Sequence, residues 1–532
     1  MKRAVAGFWP LTNLLFRKDR WKILIWFLCL VGVSMASAMA YPEVYKTEED
    51  IMGFALTMEN PGMIAMIGPG YELEDYTSTA QIFAHELLLF TIVAVAVMNI
   101  LFVSRATRAD EEEGQTELIL SLPVGRLSYL LAAIIEVVVI NLVLALATGS
   151  SLYLLDLDGF TAEGAFLYGS LLGGTGLFFA GITALFAQLV ETARGATGWA
   201  FVVMIGGYIL RAIGDVESET LSLLTPYGWA SRAYVFVDNN WWPVSLLLVF
   251  AGGLFLTSFY LNTVRDMGAG LIRARKGRAD ASALIKTLPG FVLRQQRINI
   301  LGWAVGLFCL SAAFGSIMGE LEQYFSDLDL MQMMFQDDKD FSLQFTVLLM
   351  AIMAIFGAVP AIMAILSLKG EETKSRTEHL YARSVSRHTV MLSYFVISLL
   401  ITIIMQGVTA CGFWLAASSV MDDALTTGEV FRSAFLYLPA MWVLAGFAAF
   451  LVGACPRGAG FLWLYYAACF LIVYFKDILD LPEWLAKISV FEHIPQYPLE
   501  AMDWRPVHVL LAVSFVLTVA GFIGYRRRDL IG

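Results

Sequence analysis

The chain has 532 residues, 58% of them hydrophobic and 15% charged, with a mean hydropathy of +0.70. Soluble domains hold roughly 45–50% apolar residues, so composition excludes a string of soluble domains, and no long polar stretch remains to fold separately. The formal net charge of -11 comes without a basic aromatic surface, which argues against a nucleic-acid partner.

Apolar runs near the ~18–20 residues that cross a bilayer recur from end to end. About twelve spans are predicted, near residues 23–41, 84–103, 128–150, 165–190, 197–213, 244–262, 300–318, 343–367, 390–418, 431–454, 459–475 and 507–525. Each satisfies its own backbone as a helix, so the expected fold class is an all-α integral membrane protein. The first run lacks a convincing small-residue cleavage site and reads as a retained span.

Lys2, Arg3, Arg17, Lys18, Arg20 and Lys22 precede the first span, and Arg526, Arg527 and Arg528 follow the last. An even number of spans puts both termini on one side, most of the 35 Lys and Arg fall there, and the positive-inside rule makes that side the cytoplasm. The opposite loops are acidic: Glu43, Glu48, Glu49, Asp50, Glu59, Glu72, Glu74 and Asp75 follow the first span, and Asp327, Asp329, Asp337, Asp338 and Asp340 follow the seventh. Solvation of outside loops is their simplest role.

The two halves echo each other at a nearly constant offset. LLFRKDRWKILIW before the first span parallels VLRQQRINILGW before the seventh, pairing Arg17, Arg20 and Trp26 with Arg294, Arg297 and Trp303. After the second span, Arg108 to Arg126 matches Lys369 to Arg387 after the eighth, with Glu111, Thr116, Glu117, Val124 and Arg126 against Glu372, Thr377, Glu378, Val385 and Arg387. Arg194-Gly195-Ala196 matches Arg457-Gly458-Ala459, and Arg265-Asp266 matches Arg528-Asp529. Six spans separate the copies, so the repeat is parallel, with a pathway expected between the halves. The expected division is a first repeat at 1–262, a basic cytoplasmic linker at 263–290 and a second repeat at 291–532.

In 108–126 the acids come first, Leu118, Ile119, Leu120 and Leu122 follow, and Pro123 interrupts. That pattern predicts a short amphipathic helix on the membrane surface, with acids suited to its first turn and apolar residues suited to lipid or a partner's groove. Its recurrence at 369–387 favours a partner that docks twice. The copies are unequal, since Glu112, Glu113 and Pro123 become Thr373, Lys374 and Ser384.

These features resemble the membrane subunits of type-2 ABC exporters, in which an elbow precedes each half and a coupling helix follows its second span. EEEGQTELILSLPVGR and the outside-loop NPGMIAMIGPGYE, Asn60 to Glu72, are similar to the fused twelve-span permeases that export polyketide antibiotics and drugs. The resemblance implies a multi-pass protein of a prokaryotic plasma membrane that moves a small amphiphilic compound outward through surrounding lipid. It implies two copies of a cytoplasmic ABC ATPase as partners, contacted by Glu111, Glu112, Thr116, Glu117 and Arg126 in one half and by Glu371, Glu372, Thr377, Glu378 and Arg387 in the other. Arg17, Arg20, Arg294 and Arg297 would lie on the elbows. The second copy lacks the proline and a counterpart of Gly114, which makes it the weaker contact.

No GxxxxGK[ST] phosphate cradle occurs, so ATP and Mg would be bound by the partner subunits and no cofactor by this chain. The five cysteines and five histidines are scattered without metal-ligand spacing, and no convergent nucleophile and base suggests an enzyme. Glu136, deep in the third span, is the most informative intramembrane acid. A structural role with Asn141 or a neighbouring helix competes with a place on the substrate pathway. It is also the residue on which the alternative of an ion-gradient-driven twelve-span transporter would rest. Asn99, Gln188 and Gln406 read as interhelical hydrogen-bond glue. Trp241, Trp242, Tyr497 and Trp504 read as an interfacial aromatic belt, and Met331, Met333 and Met334 as packing of an outside loop.

Overall fold

A computed structural model describes residues 4–266, 268–272, 280–318, 341–383, 385–420, 426–476, 482–497, 499 and 502–529. The acids and methionines predicted after the seventh span, Arg273 to Arg278 of the linker, and Ser384 lie outside the described residues. Among those described there is no strand, and twelve helices are long and apolar enough to cross a membrane. They run Phe8–Val44, Thr79–Glu112, Ser128–Leu154, Ala162–Leu189, Ala193–Glu217, Trp242–Val264, Leu288–Ser316, Gln344–Thr373, Arg387–Val420, Thr427–Ala454, Pro456–Tyr474 and Trp504–Arg527. Every span predicted from hydropathy overlaps one of them in order, and the protein is an all-α twelve-span membrane protein.

The chain divides into two compact units, Met1–Gly277 and Arg278–Gly532. In the first, the second and fourth spans are 67% and 72% buried over their apolar windows, whereas the first, fifth and sixth are 17%, 22% and 28% buried. The second unit repeats the arrangement, with its eighth and tenth spans interior. Large apolar side chains such as Val249, Leu256 and Phe515 therefore face outward, which is stable only against hydrocarbon.

Small residues allow the close packing. Gly169 and Gly173 of the fourth span face the backbone of Ala145 and Asn141 on the third. An added Cβ at Gly176 would meet the side chains of Asn141 and Asn99. Those two amides bond each other reciprocally, Asn99 Nδ2 to Asn141 Oδ1 at 3.1 Å and Asn141 Nδ2 to Asn99 Oδ1 at 2.6 Å. Asn141 is thus committed to Asn99 and not to Glu136. Gln406 is buried with neither side-chain atom bonded among the described residues.

Two local features depart from the sequence expectation. The elbow is not a separate helix: Phe8–Val44 runs 37 residues without a break, about 55 Å at 1.5 Å per residue and well beyond a ~30 Å hydrocarbon core. Arg17 and Arg20 sit exposed on its first turns while Leu11, Leu15 and Asp19 are buried; Arg294 and Arg297 are likewise exposed in the second unit. The 108–126 segment is not one amphipathic helix either. The second span ends in a π-helical turn, Arg105–Ala109, followed by Asp110–Glu112, a turn at Gly114 and the short helix Gln115–Leu120.

Candidate functional site

The geometry repeated in the two units is concentrated where the second and eighth spans leave the bundle. In the first unit the π-helical turn carries Arg108 inward, where its side chain is 1% exposed, donating from Nε to the Glu191 carbonyl at 2.9 Å and from Nη1 to Glu111 at 3.0 Å. Glu111 also receives both terminal nitrogens of Arg265, at 2.8 and 2.7 Å, and the Gly268 amide at 2.7 Å. Fork-to-carboxylate pairing of this kind fixes direction as well as distance. Arg265 Nε donates to Gln188 at 2.7 Å, Asn262 donates to the same oxygen at 3.0 Å, and Arg126 donates to the carbonyls of Asn262 and Arg265. The segment is thereby latched to the ends of the fourth and sixth spans.

Further bonds tie it to the remaining spans. Lys18 of the first span pairs with Asp110 at 2.7 Å and reaches Gln115 at 3.2 Å, and Tyr129 of the third donates to Asp110 at 2.5 Å. Asp19 pairs with Arg105, and Glu112 accepts from the Ala193 amide at the start of the fifth span at 3.0 Å. Glu136 lies nine residues into the third helix, within electrostatic reach of Asp19, Arg105, Lys18 and Asp110. Both its oxygens are buried with no hydrogen-bond partner among the described residues.

The second unit repeats the latch with different chemistry. Glu372 is fully buried and accepts from Arg528 Nη2 and from the Tyr525 hydroxyl, each at 2.5 Å, while Arg387 donates to the Arg528 carbonyl at 2.7 Å. Tyr381 and Tyr525 hydroxyls meet at 2.7 Å, and burial pushes the Tyr381 phenol above its ordinary value, keeping it neutral. Where the first unit has Lys18 on Asp110, the second has Gln295 on Glu371 at 3.0 Å, a neutral donor in place of an ammonium. Glu371 is completed by Arg376 at 3.3 Å. The turn is also repeated: Gly114 takes φ 74° and Ser375 takes φ 53°, so a serine holds the left-handed conformation that glycine adopts without strain.

The residues expected at a partner surface therefore fall into two groups. Glu111 and Thr116 with Glu372 and Thr377 form inner layers, the threonines buried and the acids bonded within the chain, while Arg126, from an exposed position, and Arg387 donate to backbone carbonyls of the chain. Glu117 and Glu378 are exposed at equivalent positions, with Glu112 also exposed. Beside Glu117, Leu118 and Leu122 are 74% and 58% exposed. The corresponding exposed positions beside Glu378 are His379 and Arg383, so one knob is apolar and the other polar.

Sequence reasoning missed a second buried network at the other end of the first unit. Arg211 is fully buried, donates to the carbonyls of Ile64, Ala65 and Met66 at 2.9 to 3.3 Å, and pairs with Asp215 at 3.2 Å; Arg232 lies 3.5 Å from Asp215. It clamps the helix Pro61–Ile67 onto the fifth span. An arginine inside an apolar run, four residues before an aspartate, was the available signal.

A family model described as the C-terminal domain of the multidrug efflux system permease Rv1217c matches residues 11–261 and 286–526, one stretch in each unit. Along its length the chain is similar to the multidrug efflux system permease protein Rv1217c of Mycobacterium tuberculosis (strain ATCC 25618 / H37Rv), at 30% identity over 98% of this chain and 95% of that protein. The two latched segments lie inside the matched stretches, and with most of its residues covered the chain belongs to the multidrug efflux system permease family.

Proposed function

We propose that this chain is the translocating subunit of an ATP-driven exporter, moving a hydrophobic or amphiphilic compound out across the plasma membrane. Both termini and both latched segments face the cytoplasm. Two copies of a separate ABC ATPase bind ATP and Mg, hydrolyse the nucleotide and push on the exposed tips at Glu117 and Glu378. The observation that carries this reading is the repeated latch: in each unit an exposed acid stands on a short helix whose root is tied to other spans, by several ion pairs and hydrogen bonds in the first and by the Glu372–Arg528 pair with neutral donors from Tyr525 and Gln295 in the second. A push on such a tip is delivered to the bundle and not absorbed by a slack loop, which an alternating-access cycle requires. The relative's description as part of a multidrug efflux system supports an export role.

The test is gentle purification from native membrane with mass spectrometry of co-purifying proteins, followed by Glu117→Lys with Glu378→Lys. An ATPase subunit retained by the native chain and lost by the variant, with the permease still inserted, is the expected result. Unchanged assembly and transport in the variant would overturn the assignment. A chain without a nucleotide-binding partner, whose transport follows an ion gradient, would favour gradient coupling with Glu136 as its site.

A further inference from the structure

The second unit carries a crevice at its eleventh span. It lies between the ends of the eighth and eleventh spans and is an open depression of about 440 Å³. Leu366, Lys369, Gly370, Lys374, Gly460 and Trp463 line it. Its floor is open because of two glycines: an added Cβ at Gly370 or Gly460 would meet nothing within 4 Å. Trp463 stands at its edge, 38% exposed, as an indole does where hydrocarbon meets headgroups.

The rim is cationic and uncompensated. The two acids between the lysines turn away, Glu371 to Arg376 and Gln295, and Glu372 to Arg528 and Tyr525. Neither Lys369 nor Lys374 forms an ion pair among the described residues. The opposite wall is the turn where the 3-10 stretch Pro456–Ala459 runs into the helix Gly460–Phe475.

The first unit is the internal comparison. There the equivalents of Lys369 and Lys374 are Arg108, drawn inside onto Glu111 and the Glu191 carbonyl, and Glu113. Thr197 stands where the second unit has Gly460, and its hydroxyl meets Ser104 at 2.5 Å, closing the gap between the two spans. Glu112 occupies the amide at the start of the fifth span. Position for position, a closed acidic seam has become an open basic one.

We infer that the crevice between the eighth and eleventh spans binds one anionic phospholipid, its phosphate between Lys369 and Lys374 and its acyl chains along Leu366 and Trp463. A basic pocket between helices at a membrane surface is suited to that class of ligand. A soluble phosphate would leave the apolar wall unused. The assignment is independent of what powers transport.

The test uses the full chain in nanodiscs of phosphatidylcholine containing phosphatidylglycerol, with lipid retention read by native mass spectrometry after stepwise delipidation. The expected result is one phosphatidylglycerol retained in preference to phosphatidylcholine, with retention falling about tenfold in Lys369→Gln/Lys374→Gln. Gly460→Leu, whose Cβ would enter open space at the crevice, should abolish it, and Arg17→Gln/Arg20→Gln, at exposed basic positions elsewhere, should leave it intact. Equal retention of phosphatidylcholine, retention surviving the lysine variant, or equal loss in the Arg17 and Arg20 control would overturn the proposal. Displacement of the lipid by millimolar inorganic phosphate would overturn it in favour of a soluble anion. Loss of a protein partner with lipid retention unchanged would assign the lysines to a protein contact instead.

Discussion

Replacing Glu111 by Gln keeps the side chain's shape and removes the charge on which the first latch converges. The carboxylate serves four donors: two nitrogens of Arg265, one of Arg108 and the Gly268 amide. The side chains of Glu111, Arg265 and Arg108 are 8%, 5% and 1% exposed, so water does little to compensate. Removing one partner of a buried ion pair costs about 3–5 kcal/mol, and two stranded guanidiniums put Glu111→Gln near about 4 kcal/mol. Glu372 serves one guanidinium and one phenol, and a phenol bonds an amide oxygen nearly as well, so Glu372→Gln should cost about 2–3 kcal/mol. At tenfold per ~1.4 kcal/mol, opening of the 105–127 segment should rise by about two to three orders of magnitude. Hydrogen exchange of the full chain in nanodiscs reads both segments at once. Protection of 105–127 within twofold of the native chain, or a greater loss at 366–387 in Glu372→Gln than at 105–127 in Glu111→Gln, would refute the reasoning.

Three further predictions test the scaffold. Gly114→Ala should destabilise the first segment by about 1 kcal/mol while Ser375→Gly stabilises the second by a similar amount, read as opposite shifts in thermal unfolding, because both positions hold positive φ. Gly176→Ala should push apart the Asn99–Asn141 pair and cost about 2–4 kcal/mol, seen as a lower unfolding temperature that Asn99→Ala partly restores by making room. Arg211→Met should free the Pro61–Ile67 helix and leave Asp215 buried beside Arg232 alone, costing about 3–5 kcal/mol. Protease cleavage near residues 58–70 of the intact chain should rise sharply in that variant, and Arg211→Lys should recover part of the protection.

Hydropathy located all twelve spans, because each must satisfy its backbone alone and so records its length in apolar residues. The paired landmarks Glu111 and Glu372, Arg126 and Arg387, and Arg265 and Arg528 were visible as matches between halves. Their facing was not. A repeated acid near a chain reversal suits an outward contact or an inward latch equally, and the choice depends on partners distant in sequence, Arg265 for Glu111 and Arg528 for Glu372. The unbroken first helix escaped notice because Arg17, Lys18, Arg20 and Lys22 suggest a surface segment, whereas the buried Asp19 among them is satisfied by Arg105 and Lys22. Arg211 was hidden by the apolar run around it, its partners being backbone carbonyls 145 or more residues away.

Carrying both six-helix units in one polypeptide frees each from the other's history. In a protein built from two identical subunits every substitution is made twice, so a lysine gained at one seam would appear at both, and an apolar tip could not become polar on one side only. Here Leu118 corresponds to His379 in the repeat, Lys18 to Gln295, and Thr197 to Gly460, while the backbone turn made by Gly114 in one copy is made by Ser375 in the other at the expense of strain. The backbone turn is kept in both copies while the side-chain chemistry at equivalent positions has diverged. A single gene can thus divide labour between two copies of one architecture, a freedom denied to a symmetric pair.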